Sequence, residues 1–249
     1  MYSICTNDSF INSVYANDCK IFRVSGGFRW LPVAYKHPDS GQPAGIAYDV
    51  VRIIGKKLNI SVNINIELPW GRAIDYLKHG KLDIIAGDYW NEEGNNYYQY
   101  SIPFLKNELR VFVLKGKEFP CNRLEDLIGL EGGRPLRVNY GKEFETFAKK
   151  HLKFSEVKTT PQLVNMLKIG RTDYFMLDHW DGLLRVAQHG MKDKIVALPY
   201  AVNTNQVYLT VSRKSPCIQI VPEINNILQL LIDDGTIKQL TDAYLKGER

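Results

Sequence analysis

A seven-residue stretch occurs twice in the chain, and the residues that follow it are those best suited to chemistry. Leu77-Lys78-His79-Gly80-Lys81-Leu82-Asp83 matches Leu167-Lys168-Ile169-Gly170-Arg171-Thr172-Asp173, 90 positions later. Five residues after each Asp comes a second acid, Asp88 and Asp178, and seven after comes a tryptophan, Trp90 and Trp180. Acids supply fixed charge and aromatics supply flat apolar walls, the usual furniture of a small-molecule site. Catalytic signals are poor. The five histidines are isolated, and HExxH, GxSxG, GxGxxG and Walker patterns are absent from the sequence. Asp173 falls at a strand start and is not expected to pair with Asp178, and no nucleophile stands beside a base. No catalytic residue, metal ligand or cofactor is therefore assigned.

The elements that would position these residues follow from periodicity. Ile21 to Val24 reads as a strand and Tyr48 to Leu58 as a helix with Val50, Val51, Ile54 and Leu58 on one side. Ser61 to Leu68 alternates as a strand does. Pro69-Trp70-Gly71 opens a helix over Arg72 to Lys78, which Gly80 stops. Leu82 to Ala86 is short and nearly all apolar, the mark of a parallel strand covered on both faces. Leu109 to Leu114 and Val207 to Val211 are isolated strands. Between them lie a strand at Leu136 to Asn139, helices at Lys142 to Lys150 and Pro161 to Lys168, and a strand at Tyr174 to Leu177. Helices at Val221 to Ile232 and Ile237 to Lys246 close the chain. This order predicts an α/β fold with mainly parallel sheets, and the repeat predicts two lobes built alike.

In open parallel sheets, ligands meet the carboxyl ends of the strands. Here those ends are Ser25 to Trp30, Pro69-Trp70, Gly87 to Trp90, Tyr140 to Glu143, and Asp178. Facing lobes would bring them to one cleft. Each has a plainer reading: Trp70 as a staple for its helix, Asp88 and Asp178 as helix caps, Trp90 and Trp180 as packing. Gly141-Lys142-Glu143 at a helix start offers backbone N–H groups to an anion.

Composition narrows the classes. The chain has 249 residues, 45% hydrophobic and 24% charged, which fits one large or two modest globular domains. The net charge of +5 is small and scattered, so nucleic acid is not an expected partner. No apolar run reaches a membrane span, and Met1 to Cys5 does not resemble a signal peptide, so either the chain is cytosolic or a leader has been removed. The four cysteines, Cys5, Cys19, Cys121 and Cys217, lack CxxC spacing. Cys5 with Cys19 is the most local pairing, and free buried thiols are the alternative.

Several stretches together resemble the bacterial extracellular solute-binding proteins of family 3. They are Gly45-Ile46-Ala47-Tyr48-Asp49-Val50, Leu68-Pro69-Trp70-Gly71-Arg72-Ala73, Gly80 to Gly87, Tyr100-Ser101-Ile102-Pro103-Phe104, Leu124 to Leu127, Val138 to Gly141, and Asp234 to Tyr244. The resemblance implies a two-lobed type II periplasmic-binding-protein fold joined by two hinge strands. Residues 1–20 would be an extension, 21–108 and 209–249 lobe 1, and 109–208 lobe 2. It implies a periplasmic monomer that captures an amino acid or cationic amine-like solute by hinge closure for an ABC permease. A sensor for a membrane receptor and a cyclohexadienyl dehydratase-like enzyme are the alternatives. Trp30 and Trp70 match the ligand-sandwiching aromatics. Asp88 and Tyr89 fall in the hydrogen-bonding strand end, and Tyr140, Gly141, Lys142 and Glu143 at the carboxylate-binding helix start. Asp178 matches the α-ammonium acid. The family's carboxylate-clamping Arg would stand at Gly94, where it is missing, and this favours a cationic or neutral ligand. Arg72 is the counter-candidate for a guanidinium.

Overall fold

The computed structural model describes residues 18–136, 138 and 140–248, with nothing stated of the Lys142 side chain. The described residues form two compact units: 18–29, 33–104 and 208–238 in the first, and 30–32, 105–207 and 239–248 in the second.

The first unit opens with β1 (Ile21–Gly26), followed by the short strands β2 (Arg29–Trp30), β3 (Ala34–Lys36) and β4 (Pro43–Ala44), and then α1 (Ile46–Leu58). β5 (Ser61–Ile64), α2 (Trp70–Lys78), β6 (Ile84–Tyr89) and β7 (Tyr98–Tyr100) follow. β5, β1 and β6 run parallel, with Val24 opposite both Ile64 and Ile84. Phe22, Val24, Ile84 and Ile85 are buried because helices cover the sheet, as their continuous apolar runs require. β5 stops earlier than its alternation predicts. The Asn65 Oδ1 accepts the Glu67 N–H at 3.0 Å, a local turn that competes with the ladder.

The second unit holds β8 (Leu105–Leu114), β9 (Glu131–Pro135), α3 (Lys142–His151), β10 (Lys153–Val157), α4 (Thr160–Lys168), β11 (Tyr174–Asp178) and α5 (His179–Gln188). β10, β9 and β11 are parallel, and β8 joins β11 antiparallel. β12 (Ile195–Ser212) pairs with β8 over Ile195 to Val207 and with β7 over Thr210 to Ser212, so one strand serves both units. α6 (Val221–Asp233) and α7 (Thr236–Lys246) complete the chain.

The expected strand at Leu136 to Asn139 is corrected to β9, which ends at Pro135. Positions 137 and 139 lie outside the described residues. Gly132 and Gly133 read as a turn in sequence. A Cβ at Gly132 would sit 2.6 Å from both the Phe154 and Tyr174 rings, so glycine is what lets this strand run beneath two aromatics.

The repeat carries through to individual hydrogen bonds. Gly80 and Gly170 both take φ +71, the left-handed conformation that ends α2 and α4. Asp83 N–H donates to the Arg23 carbonyl and Arg23 N–H to the Asp83 carboxylate; Asp173 and Glu131 exchange the same pair, all at 2.7–2.8 Å. The cysteine expectation is corrected. Cys19 pairs with Cys217, Cys121 is a buried free thiol, and Cys5 lies outside the described residues.

Candidate functional site

On the first unit, the carboxyl ends of β1, β5 and β6 lie along one edge of a parallel sheet, because strands running the same way end on the same side. Trp70 and Arg72 stand in the first turn of α2. Trp70 is 42% exposed, so it does not staple the helix to the sheet as a buried residue would. The Arg72 side chain is exposed and makes no ion pair or hydrogen bond among the described residues, which leaves its guanidinium available to a ligand. Tyr89 ends β6 half-buried, and Trp90 beyond it is exposed.

Asp88, expected in a hydrogen-bonding strand end or as a helix cap, lies near the end of β6. It is 7% exposed. One carboxylate oxygen accepts the Tyr89 N–H at 2.8 Å, and the other has no hydrogen-bond partner among the described residues. The neighbouring Thr210 hydroxyl is buried beside it without completing a hydrogen bond. Burial pushes the carboxyl up to about 7, against the opposing pull of the Tyr89 amide. At neutral pH it therefore offers less than a full charge.

Gly94, the position at which the family resemblance would set a clamping Arg, is closely packed. Gly94 lies in the 3-10 turn Glu93–Asn96 and donates its N–H to Asn91 Oδ1 at 2.8 Å. A Cβ there would come within 2.5–2.6 Å of the Tyr98 ring and of the Tyr98 and Tyr100 hydroxyls. Asn91 holds those hydroxyls, with Nδ2 at 3.1 Å from Tyr100 and 3.4 Å from Tyr98. Two tyrosines thus occupy the space that a larger side chain would need. The sequence reading missed their part; the nearby Tyr97, Tyr98 and Tyr100 were its signal. It also missed a cavity of about 470 Å³ on this unit, lined by Phe28, Arg29, Lys36, His37, Ile66 and Pro69 among others. Lys36 pairs with Glu67 at 2.7 Å on its rim.

On the second unit, Gly141 precedes α3 at φ +106. The junction is braced: Tyr140 N–H donates to Glu145, whose carboxylate binds Arg134 at 2.8 Å, and Asn203 Nδ2 donates to the Tyr140 carbonyl at 2.7 Å. The Tyr140 side chain is a core group. Its ring is buried and its hydroxyl donates to the Met176 carbonyl at 3.0 Å. Glu143 is exposed in the first turn of α3, and Lys142 is the first residue of that helix. Asp178 ends β11, half-buried, and its side chain does not cap α5. Trp30 ends β2, partly buried. Asp181, in the first turn of α5, was not singled out. It is buried, bonds Arg185 at 2.8 Å and accepts the Leu31 N–H at 3.2 Å. Burial raises its carboxyl although Arg185 opposes the shift.

Residues 24–247 match the bacterial extracellular solute-binding proteins, family 3. The chain belongs to that family. The probable amino-acid-binding protein YxeM of Bacillus subtilis (strain 168) is 22% identical over 99% of this chain and 90% of its own length. The L-cystine-binding protein TcyJ of Escherichia coli (strain K12) is 19% identical over 84% of this chain and 77% of its own. Among solved structures, an ancestral cationic amino acid solute-binding protein superposes with TM-score 0.72 at 22% identity, covering 91% of this chain and 96% of that one. A histidine kinase sensor domain with similarity to periplasmic binding proteins gives TM-score 0.71 at 19% identity, covering 90% and 96%. These likenesses establish the fold as the two-lobed type II class of this solute-binding family. No helix among the described residues is long and apolar enough to cross a membrane. No cluster of three or more His, Cys, Asp or Glu among them is placed to hold a metal ion.

Proposed function

We propose that this family-3 protein captures an amino acid or a cationic amine-like solute and delivers it to an ABC importer in the periplasm, without catalysing a reaction. The observation that carries the reading is the family match over residues 24–247. The names of its relatives, an amino-acid-binding and a cystine-binding protein, support the ligand class. On the first unit we assign ligand contacts to Trp70, Arg72 and the Tyr89 strand end, and on the second to the amides at Gly141, Lys142 and Glu143, the Asp178 carboxylate and Trp30. Asp88 acts from beneath, through the backbone it holds, rather than as a ligand acid. With Gly94 unable to bear a clamp, Arg72 is the guanidinium for a ligand carboxylate, and Asp178 meets an ammonium group.

A thermal-shift screen of amino acids and amines tests this. A ligand at a hundredfold its Kd stabilises by about 2.7 kcal/mol, which for a chain of this size raises Tm by about 5–10 °C. Trp70→Ala and Asp178→Asn are each expected to weaken that ligand about tenfold, the scale of a cation–π contact or a charge-assisted hydrogen bond. If carboxylate amino acids alone stabilise the protein and Arg72→Ala abolishes the effect, the cationic-amine branch is wrong. If no amino acid or amine shifts Tm, the ligand class is wrong.

A further inference from the structure

The two copies of the helix–glycine–strand turn differ in what covers them. In the first unit the turn is sealed. A Cβ on Gly80 would lie 2.9 Å from Lys214, and Leu82 is buried in an apolar cluster. Asp83, 1% exposed, receives the Arg23 guanidinium at 2.7 and 2.9 Å and the Ser215 hydroxyl at 2.6 Å. In the second unit each of these parts is changed. Nothing lies within 4 Å of a Cβ on Gly170, and Glu131 stands where Arg23 does, so the partner that neutralised the acid is replaced by another acid. Asp173 accepts the Glu131 N–H and no side-chain donor among the described residues. Thr172 takes the place of Leu82. It is 3% exposed, and its hydroxyl is buried with no hydrogen-bond partner among the described residues.

A cavity of about 390 Å³ opens at this turn, in the second unit and at the amino end of β11. Phe119, Leu130 and Leu167 give it apolar walls and Thr172 and Asp173 line it at the turn, while Asp126, also in the lining, is already held by the Asn122 and Arg123 N–H groups and by the Arg123 guanidinium. Lys117 is its single cationic lining residue. A buried hydroxyl without a partner carries a desolvation cost that a ligand can relieve, and staggered rotation about χ1 lets a threonine re-aim it.

We infer that this cavity binds a small organic cation with an apolar body, a primary arylalkylammonium in class. The ammonium replaces the donors that Arg23 and Ser215 supply to Asp83, and its three N–H groups reach the Asp173 carboxylate and the Thr172 hydroxyl. The apolar body lies against Phe119 and Leu130. This site is separate from the strand-end residues proposed for solute capture, which sit at the carboxyl ends of their strands.

The test is a titration of the full chain with 2-phenylethylammonium chloride, followed by methyl NMR of isoleucine and leucine and by the tryptophan indole N–H signals. Saturable shifts at Ile128, Leu130 and Leu167 are expected, persisting in Trp70→Ala. Ile128→Arg, a change at an exposed position on the cavity rim, should abolish the shifts at Leu130 and Leu167 without unfolding the protein. Thr172→Val should weaken binding about fivefold, the scale of one hydrogen bond. Lys117→Ala should tighten it about threefold by removing the opposing charge. The uncharged 2-phenylethanol should bind more weakly than the ammonium. Absence of saturable methyl shifts at millimolar probe overturns the proposal. So does binding that is lost in Trp70→Ala, is indifferent to Ile128→Arg, or is equal for the alcohol and the ammonium.

Discussion

At the scale of single residues, Asp88 carries the clearest electrostatic consequence. Its carboxyl is pushed up to about 7 in the folded protein, against about 3.9 in an unfolded chain. Between those values the folded form binds more protons than the unfolded one, so stability falls as pH rises from about 4 to about 7 and then levels off. Three pH units correspond to at most about 4 kcal/mol. Asp88→Asn removes this slope. Urea unfolding of the variant should give higher stability than the parent at pH 8 and nearly equal stability at pH 4. Equal values at both pH would show that Asp88 is charged and satisfied. Gly94 gives a second prediction. Because a Cβ there meets two tyrosines, Gly94→Ala should cost about 1–3 kcal/mol by overpacking. Gly94→Arg should cost at least as much without improving affinity for carboxylate amino acids. A gain in affinity would mean that the tyrosines give way and the clamp site is merely vacant.

At the scale of elements, the repeat supplies its own control. Asp83 and Asp173 hold equivalent turns, but Asp83 is buried and Asp173 is exposed. Burial alone would raise the Asp83 carboxyl, yet the Arg23 and Ser215 donors outweigh it and hold the group below its ordinary value. Its contribution is therefore present above the unfolded value near 4 and is lost as pH falls through the lowered one. Asp83→Ala leaves the Arg23 guanidinium and the Ser215 hydroxyl unpartnered and should cost about 3–5 kcal/mol. Asp173→Ala loses one solvent-exposed bond and should cost about 1 kcal/mol. Similar losses in urea titrations would show that the two turns are not energetically different. The element order was largely readable because helix and strand periods differ and Gly80 and Gly170 punctuate both copies. β9 was misplaced because Gly132 serves packing beneath Phe154 and Tyr174, and no local pattern encodes a close approach made by residues 22 and 42 positions away. At the site, sequence placed Trp70 and Asp178 at strand or helix ends. It did not reveal that Asp88 and Tyr140 turn inward, since position in the chain fixes a residue's place on a strand and its packing fixes its burial.

At the scale of the whole molecule, the first unit is discontinuous: its last segment, 208–238, arrives only after the second unit has been threaded. Contacts within it are therefore long-range and costly in chain entropy. The Cys19–Cys217 disulfide addresses that cost, because it joins the first described strand's approach to the returning segment across 198 residues. Its neighbours belong to the same assembly: Ser215 Oγ accepts the Cys217 N–H at 2.9 Å and donates to Asp83. A loop of that length removes about 5 kcal/mol from the unfolded state in the chain-entropy model, and measured disulfides usually give about 2–4. Local pairing of Cys5 with Cys19 would have closed a short loop and done nothing for the returning segment. Cys121 is buried and its thiol is pushed up to about 11, mainly by burial, so it competes poorly for exchange. Cys19→Ser with Cys217→Ser should thus lower the unfolding midpoint of the first unit and leave the second near its original value. Calorimetry resolving two transitions, or hydrogen exchange followed separately at Phe22 and Phe112, reads the difference. A uniform loss at both positions would show that the two units unfold as one cooperative body, and no loss at either would show that packing alone holds the returning segment in place.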